Sequence, residues 1–160
     1  MNEIIKSLED LVSVHVEILD ISKEKTEVIK EGSVEKLQKL LVNERKLVRK
    51  VENNEKERKV LVDHWFENRK LSLEDATVTN MLELLDDEED KNNLEQVTIA
   101  LTKVITNLKA QEKLNLALIS QSMQFVQVSL DLLSPSLKNM NYGNKPNEEE
   151  PTRSVFDSKA

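Results

Sequence analysis

Few residues in this chain could do chemistry: His15, His64 and the serines Ser120, Ser122 and Ser129. A histidine becomes a metal ligand or general base when carboxylates or thiolates stand near it at ligand spacing. A serine becomes a nucleophile on a glycine-bounded elbow beside a base. Neither condition is met. Each histidine lies within apolar residues at helical spacing, which reads as a side chain packed between helices, and none of the serines has a glycine beside it. A phosphate-cradling loop needs glycines that the chain lacks, since Gly32 and Gly143 are its only two. The acidic run Asp86 to Asp90 has no glycine turn, so it reads as a solvated turn ahead of a helix N-terminus rather than a calcium loop. The sequence points away from an enzyme and away from any metal or other cofactor.

Ser122 and Ser129 belong to another pattern. With Asn115 they interrupt, at seven-residue intervals, the apolar stripe that runs from Lys113 to Leu133. A helix face of this kind can pack on a partner helix, release it, and stay in solution between the two events, which an unbroken leucine seam does poorly. The chemistry on offer is reversible association, and the residues placed to carry it are Asn115, Leu118, Ile119, Ser122, Phe125, Val126, Ser129, Leu132 and Leu133.

The elements that must position this face are helices. In 160 residues there are two Gly, three Pro and no Cys, and 33% of the chain is charged. That is the composition of long helices rather than of sheets with turns. Absence of Cys excludes disulfides and thiolate metal sites. The net charge of -7 repels nucleic acid and anionic lipid at long range. Met1-Asn2-Glu3 lacks a basic leader, and no uninterrupted apolar run approaches the ~18 residues of a membrane span. The expectation is a soluble, cytoplasmic protein with no direct membrane insertion.

Ile4, Leu8, Leu11, His15, Ile18, Ser22, Lys25 and Ile29 recur at alternating steps of four and three, flanked by Ile5, Val12 and Leu19, and predict a first helix over residues 3–31. Gly32 fits the left-handed position after its end, and Ser33 can cap the next helix. The second helix, to about residue 69, carries Leu37, Leu40, Leu41, Leu47, Val48, Val51, Leu61, Val62, Trp65 and Phe66 on one side, with Glu44, Asn54, Glu55 and Arg58 intruding. So short a turn sets it antiparallel to the first. Its basic residues, Arg45, Lys46, Arg49, Lys50, Lys56, Arg58 and Lys59, are interleaved with Glu44, Glu52, Glu55 and Glu57. They read as a solvated surface rather than a DNA-binding stripe. Ser72 should cap a short helix over 76–85, and a third long helix should run over 92–133, roughly 60 Å, until Pro135 closes it. The segment after it is rich in Asn, Pro and charge and reads as disordered when alone, with Tyr142 and Phe156 as apolar exceptions able to dock on a second protein. The fold class is all-α, a long antiparallel helical hairpin or coiled-coil bundle over 1–135 with a disordered C-terminal tail over 136–160.

Two stretches carry a resemblance. Leu37-x-x-Leu40-Leu41-x-x-Glu44-Arg45-x-Leu47-Val48 in the second helix, with Asn115-x-x-Leu118-Ile119-x-x-Ser122-Met123-x-Phe125-Val126 late in the third, resembles the FlgN family of flagellar export chaperones, over most of residues 1–135. The resemblance implies a helical chaperone that binds the C-terminal helices of hook-associated proteins, the junction proteins between hook and filament, in the cytoplasm. It further implies delivery of the loaded complex to the flagellar type III export gate. By analogy with related chaperones, Tyr142 would dock on that gate. The alternative from another class is a self-associating coiled-coil scaffold or adaptor, a homodimer without transient cargo. The same heptads serve packing within and between chains, so both readings stand at this point.

Overall fold

The computed structural model describes the backbone of residues 1–140 and, apart from Asp75, the side chains of residues 1–133. Its elements are α1 (Asn2–Glu31), α2 (Val34–Glu67), a 3-10 turn (Leu73–Asp75), α3 (Val78–Leu84) and α4 (Glu88–Met140). The described residues form no strand, so the all-α expectation holds. Tertiary contacts divide the chain into two units, Met1–Gln121 and Ser122–Ala160. Residues 136–140 of the expected tail are helical in backbone rather than disordered, and the rest of it, with Tyr142, lies outside the described residues.

In the first unit, α1 ends as its glycine requires. Gly32 has φ 70°, its N–H donates to Ile29 O (3.1 Å), and the Ser33 N–H reaches back to Val28 O (3.3 Å). Nothing lies within 4 Å of where a Cβ would stand. The left-handed backbone alone therefore calls for glycine. Ser33 occupies the N-cap of α2, but its ψ is 93° and its hydroxyl makes no capping bond. The expected cap is absent because the residue is committed to closing α1. The end of α2 repeats the same pair of bonds around Lys70, at φ 56°, with Lys70 N–H on Glu67 O (2.9 Å) and Leu71 N–H on Phe66 O (3.1 Å).

Four further expectations are corrected. The Ser72 hydroxyl accepts from Glu74 N–H and so caps the 3-10 turn, while Thr77 Oγ1 accepts from Asn80 N–H and starts α3. The Asp87 carboxylate accepts from Glu89 and Asp90 N–H (2.8 and 3.3 Å). It thereby caps α4, which begins at Glu88 rather than at 92. At the other end α4 passes through Pro135 to Met140. A proline forfeits one N–H bond and crowds the preceding turn, yet its own φ is helical, so the helix resumes. His64 is exposed rather than packed, whereas half-buried His15 holds Leu11 O through Nδ1 at 2.7 Å.

The core is a cluster of Ile4, Ile5, Leu8 and Leu11 from α1, Val62, Trp65 and Phe66 from α2, Met81 and Leu85 around α3, and Leu94 and Val97 from α4. Trp65 and Phe66 meet edge to face at 5.0 Å, and the Arg69 guanidinium lies 3.8 Å over the Trp65 ring. The short α3 closes this end of the unit.

At the other end of the unit apolar packing gives way to a polar layer. Thr26 Oγ1 donates to Asn115 Oδ1 (2.6 Å) and accepts from Gln111 Nε2 (2.6 Å). Asn115 Nδ2 donates to Ser22 O (2.8 Å), and Ser22 Oγ donates to Glu112 Oε1 (2.5 Å). The Lys25 ammonium bridges Glu44 of α2 (2.6 Å) and Glu112 of α4 (2.8 Å). Among the described residues no buried side-chain polar atom lacks a partner, so this is a complete network rather than a defect. Its partners are 90 residues apart for Ser22 and Glu112 and 89 for Thr26 and Asn115. α1 and α4 are therefore parallel, with α2 antiparallel between turns, and the last residue of α1, Glu31, falls level with the last of the first unit, Gln121.

Burial disfavours the Lys25 charge, but the hydrogen bonds and negative charges of Glu112 and Glu44 outweigh it and hold its pKa above 10.5. A raised folded pKa stabilises fully below the unfolded value and fades as pH rises through the folded one.

Three outcomes follow for stability. Lys70→Gly removes a side chain from a left-handed position and raises unfolding free energy by about 1 kcal/mol in urea titration. Phe66→Ala lowers it by about 3–5 kcal/mol. Lys25→Met leaves two carboxylates facing each other and costs on the order of 2 kcal/mol at neutral pH, while Lys25→Met with Glu44→Leu and Glu112→Leu recovers most of that loss. The difference between the native chain and Lys25→Met shrinks as pH is taken above 10.5; a difference that grows with alkalinity contradicts the assignment.

Candidate functional site

Among its described side chains, from Ser122 to Leu133, the second unit buries no polar group in such a layer. Over Ser122–Leu133 its helix exposes large apolar side chains: Met123 (68%), Phe125 (74%), Val126, Val128, Leu130 (57%), Leu132 (73%) and Leu133. At ~1.5 Å per residue this stretch spans about 18 Å. The heptad that makes Leu94, Val97 and Val104 buried in α4 continues in sequence through Leu118 to Phe125 and Leu132, so these two occupy the positions that face a partner helix. Helical propensity is adequate here, but isolated helices gain most of their stability from a packed face. This one has its apolar face in water.

The expected site residues separate into three groups. Asn115, only 2% exposed, spends both ends of its amide on α1, so its expected place in the partner face is corrected: it specifies how α4 packs within the first unit. Leu118 is half-buried and Ile119 exposed, both in the last turn of that unit. Phe125, Val126, Leu132 and Leu133 are exposed, Ser122 is exposed, and Ser129 is half-buried with its hydroxyl donating to Phe125 O at 2.9 Å. Spacing alone groups Asn115 with Ser122 and Ser129, because the three share one heptad position. The signal that separates them is the pair Ser22 and Thr26 in α1, a polar interruption of the facing seam. Met123 and Leu130 fall outside that seam, so spacing along it does not single them out as site residues.

Polarity here takes an unusual form. No residue between Lys113 and Asp131 is charged, in a chain that is 33% charged overall. Gln127 Nε2 donates to Asp131 Oδ1 at 3.0 Å, and with Gln124 they mark a polar strip opposite the apolar side chains. By length and composition alone an 18-residue window of α4, none of it buried, is apolar enough to cross a membrane, although no uninterrupted apolar run reaches that length. Among the described residues no cluster of His, Cys, Asp or Glu is arranged to hold a metal ion.

The FlgN protein family model matches residues 1–150. An uncharacterized protein of Bacillus subtilis (strain 168), YvyG, is 31% identical over 163 residues, covering 98% of this chain and 97% of the relative. No solved structure matches the chain. The match runs through both the polar layer that aligns α4 and the exposed apolar stretch that follows it, and the chain belongs to the FlgN family, whose members are flagellum-associated chaperones.

Proposed function

We propose that this chain holds the C-terminal helices of hook-associated proteins in the cytoplasm and brings them to the flagellar type III export gate. The observation that supports it is the exposure of Phe125 and Leu132 at heptad positions where α4 would otherwise meet a helix. A cargo helix destined to be buried in an assembled filament needs its apolar stripe covered beforehand. Phe125, Val126, Leu132 and Leu133 offer that cover, with Leu118 and Ile119 leading into it and Ser122 and Ser129 limiting its strength. Apolar burial contributes about 25 cal/mol per Å2, and ordering of a flexible cargo offsets much of it. Binding is moderate and reversible, as release for export requires.

In this reading residues 1–135 form the chaperone domain and 136–160 a tail whose Tyr142 meets the export apparatus. A bilayer is the poorer receiver for the exposed stretch. Gln124, Gln127 and Asp131 would carry a polar strip into hydrocarbon, and no Lys or Arg lies within the stretch to attract anionic headgroups.

Phe125→Ala with Leu132→Ala abolishes co-elution with hook-associated proteins while leaving helicity by circular dichroism unchanged; retained co-elution contradicts the assignment. Deleting residues 137–160 preserves co-elution and impairs export of those proteins, and unaltered export removes the tail from the mechanism. A stable homodimer in sedimentation that captures no client would replace the chaperone reading by the self-associating scaffold.

A further inference from the structure

We propose that the exposed stretch of α4 is gripped from two sides by two helices of one partner molecule, a helical hairpin rather than a single helix. The inference rests on the partner-binding reading above and specifies the form of the partner.

One heptad position carries the argument. Up to Lys109 it is filled by Glu95, Thr102 and Lys109, all exposed and polar. From Leu116 onward the same position is filled by Leu116, Met123 and Leu130, which remain exposed but are now large and apolar. The seam position, by contrast, is apolar at Val97 and Val104, polar only at Gln111 in the polar layer, and apolar again at Leu118, Phe125 and Leu132. At 3.6 residues per turn Met123 and Phe125 point roughly 160° apart. One helix lying on α4 covers an apolar stripe of about 100°. A helix seated on Phe125 and Leu132 therefore leaves Met123 and Leu130 in water, and a second helix is needed to cover them.

Within the first unit α1 and α2, joined at Gly32, share one core with α4 and leave the position of Glu95, Thr102 and Lys109 in water, so a partner hairpin covering Met123 and Leu130 as well as Phe125 and Leu132 has to reach further round α4 than that hairpin does. Two helices from one molecule reach their faces at high effective concentration once the first has docked. Because no charge lies between Lys113 and Asp131, the partner's inward faces are uncharged and the association is insensitive to salt. The strip of Gln124, Gln127 and Asp131 stays in water between the two helices.

The test uses the absence of cysteine from the chain. Met123→Cys and Phe125→Cys, made singly in the full-length protein, are alkylated with and without a saturating hook-associated protein, and the mass of the complex is measured by light scattering. The expected result is slowing at both positions by at least about tenfold in a complex of one chain with one partner. Protection of Phe125→Cys alone overturns the hairpin while leaving the chaperone reading intact. Protection at neither position overturns both. Two partner molecules per chain, protection in the free chain through a homodimer, or protection by neutral phosphatidylcholine vesicles without protein each overturn the hairpin in favour of that occupant. As an independent measure, Met123→Ser with Leu130→Ser weakens capture at least about tenfold; unchanged capture overturns the inference.

Discussion

The hydrogen bond between Thr26 and Asn115, with its neighbours Ser22, Gln111 and Glu112, fixes how α4 is aligned against α1, and the rest of the molecule depends on that alignment. The α4 seam is apolar over many more turns than α1 can cover. An apolar seam by itself is indifferent to sliding by a heptad, because each leucine finds an equivalent hole one step along. A polar layer is not indifferent. Moving Asn115 by seven residues would bury its amide without partners, strip the Thr26 hydroxyl of Asn115 and Gln111, and leave the Lys25 ammonium with Glu44 alone, and a buried polar group left unsatisfied costs about 1–3 kcal/mol. Buried polar residues act this way in coiled coils, where one asparagine can set register at some expense of stability. Here the register decides which apolar residues of α4 are enclosed, and it assigns the role of enclosure to Leu94, Val97 and Val104 and leaves Phe125 and Leu132 outside.

That division connects energetics to function. A folding chain gains by covering large apolar side chains, and a face left uncovered forfeits that gain. Within the exposed stretch the chain limits the penalty chiefly with hydroxyl and amide side chains, Ser122, Gln124, Gln127 and Ser129, and with a single charge, Asp131, on the side opposite the apolar arc. Charge would serve solubility as well, but it would make binding depend on ionic strength and would penalise an apolar partner at close approach. On the proposed function this surface recovers its lost burial from a guest and surrenders it again, and an apolar arc interrupted by serines has the physical property such exchange requires.

Much of this was legible in the residues. The four-and-three spacing of Ile4, Leu8 and Leu11, the glycine at 32 and the antiparallel return of α2 follow from periodicity and turn chemistry. The exposed stretch was legible too, because its serines recur every seven residues. What escaped sequence reasoning was long-range pairing. Ser22 and Lys25 in one seam and Glu44 in the other were each visible as polar intrusions, but only three-dimensional packing brings them together with Glu112 and Asn115. Lys70 gives no sign of its left-handed backbone because any residue can be held there by the turns around it. Ser72 and Thr77 are equivalent as caps until packing of Met81 and Leu85 fixes where α3 begins. Pro135 reads as a stop from local sterics, whereas a long helix carries it at the loss of one hydrogen bond.

The central claim is that residues 122–133 remain open in the free chain while the aligned part of α4 is enclosed. Backbone hydrogen exchange of the full-length protein without partner tests it most directly. The account predicts that amides of Val97 to Asn115 exchange only through global unfolding, whereas those of Met123 to Leu133 exchange orders of magnitude faster, at the pace of a helix with no tertiary packing. Equal, slow exchange along the whole of α4 in a monomeric sample would contradict it.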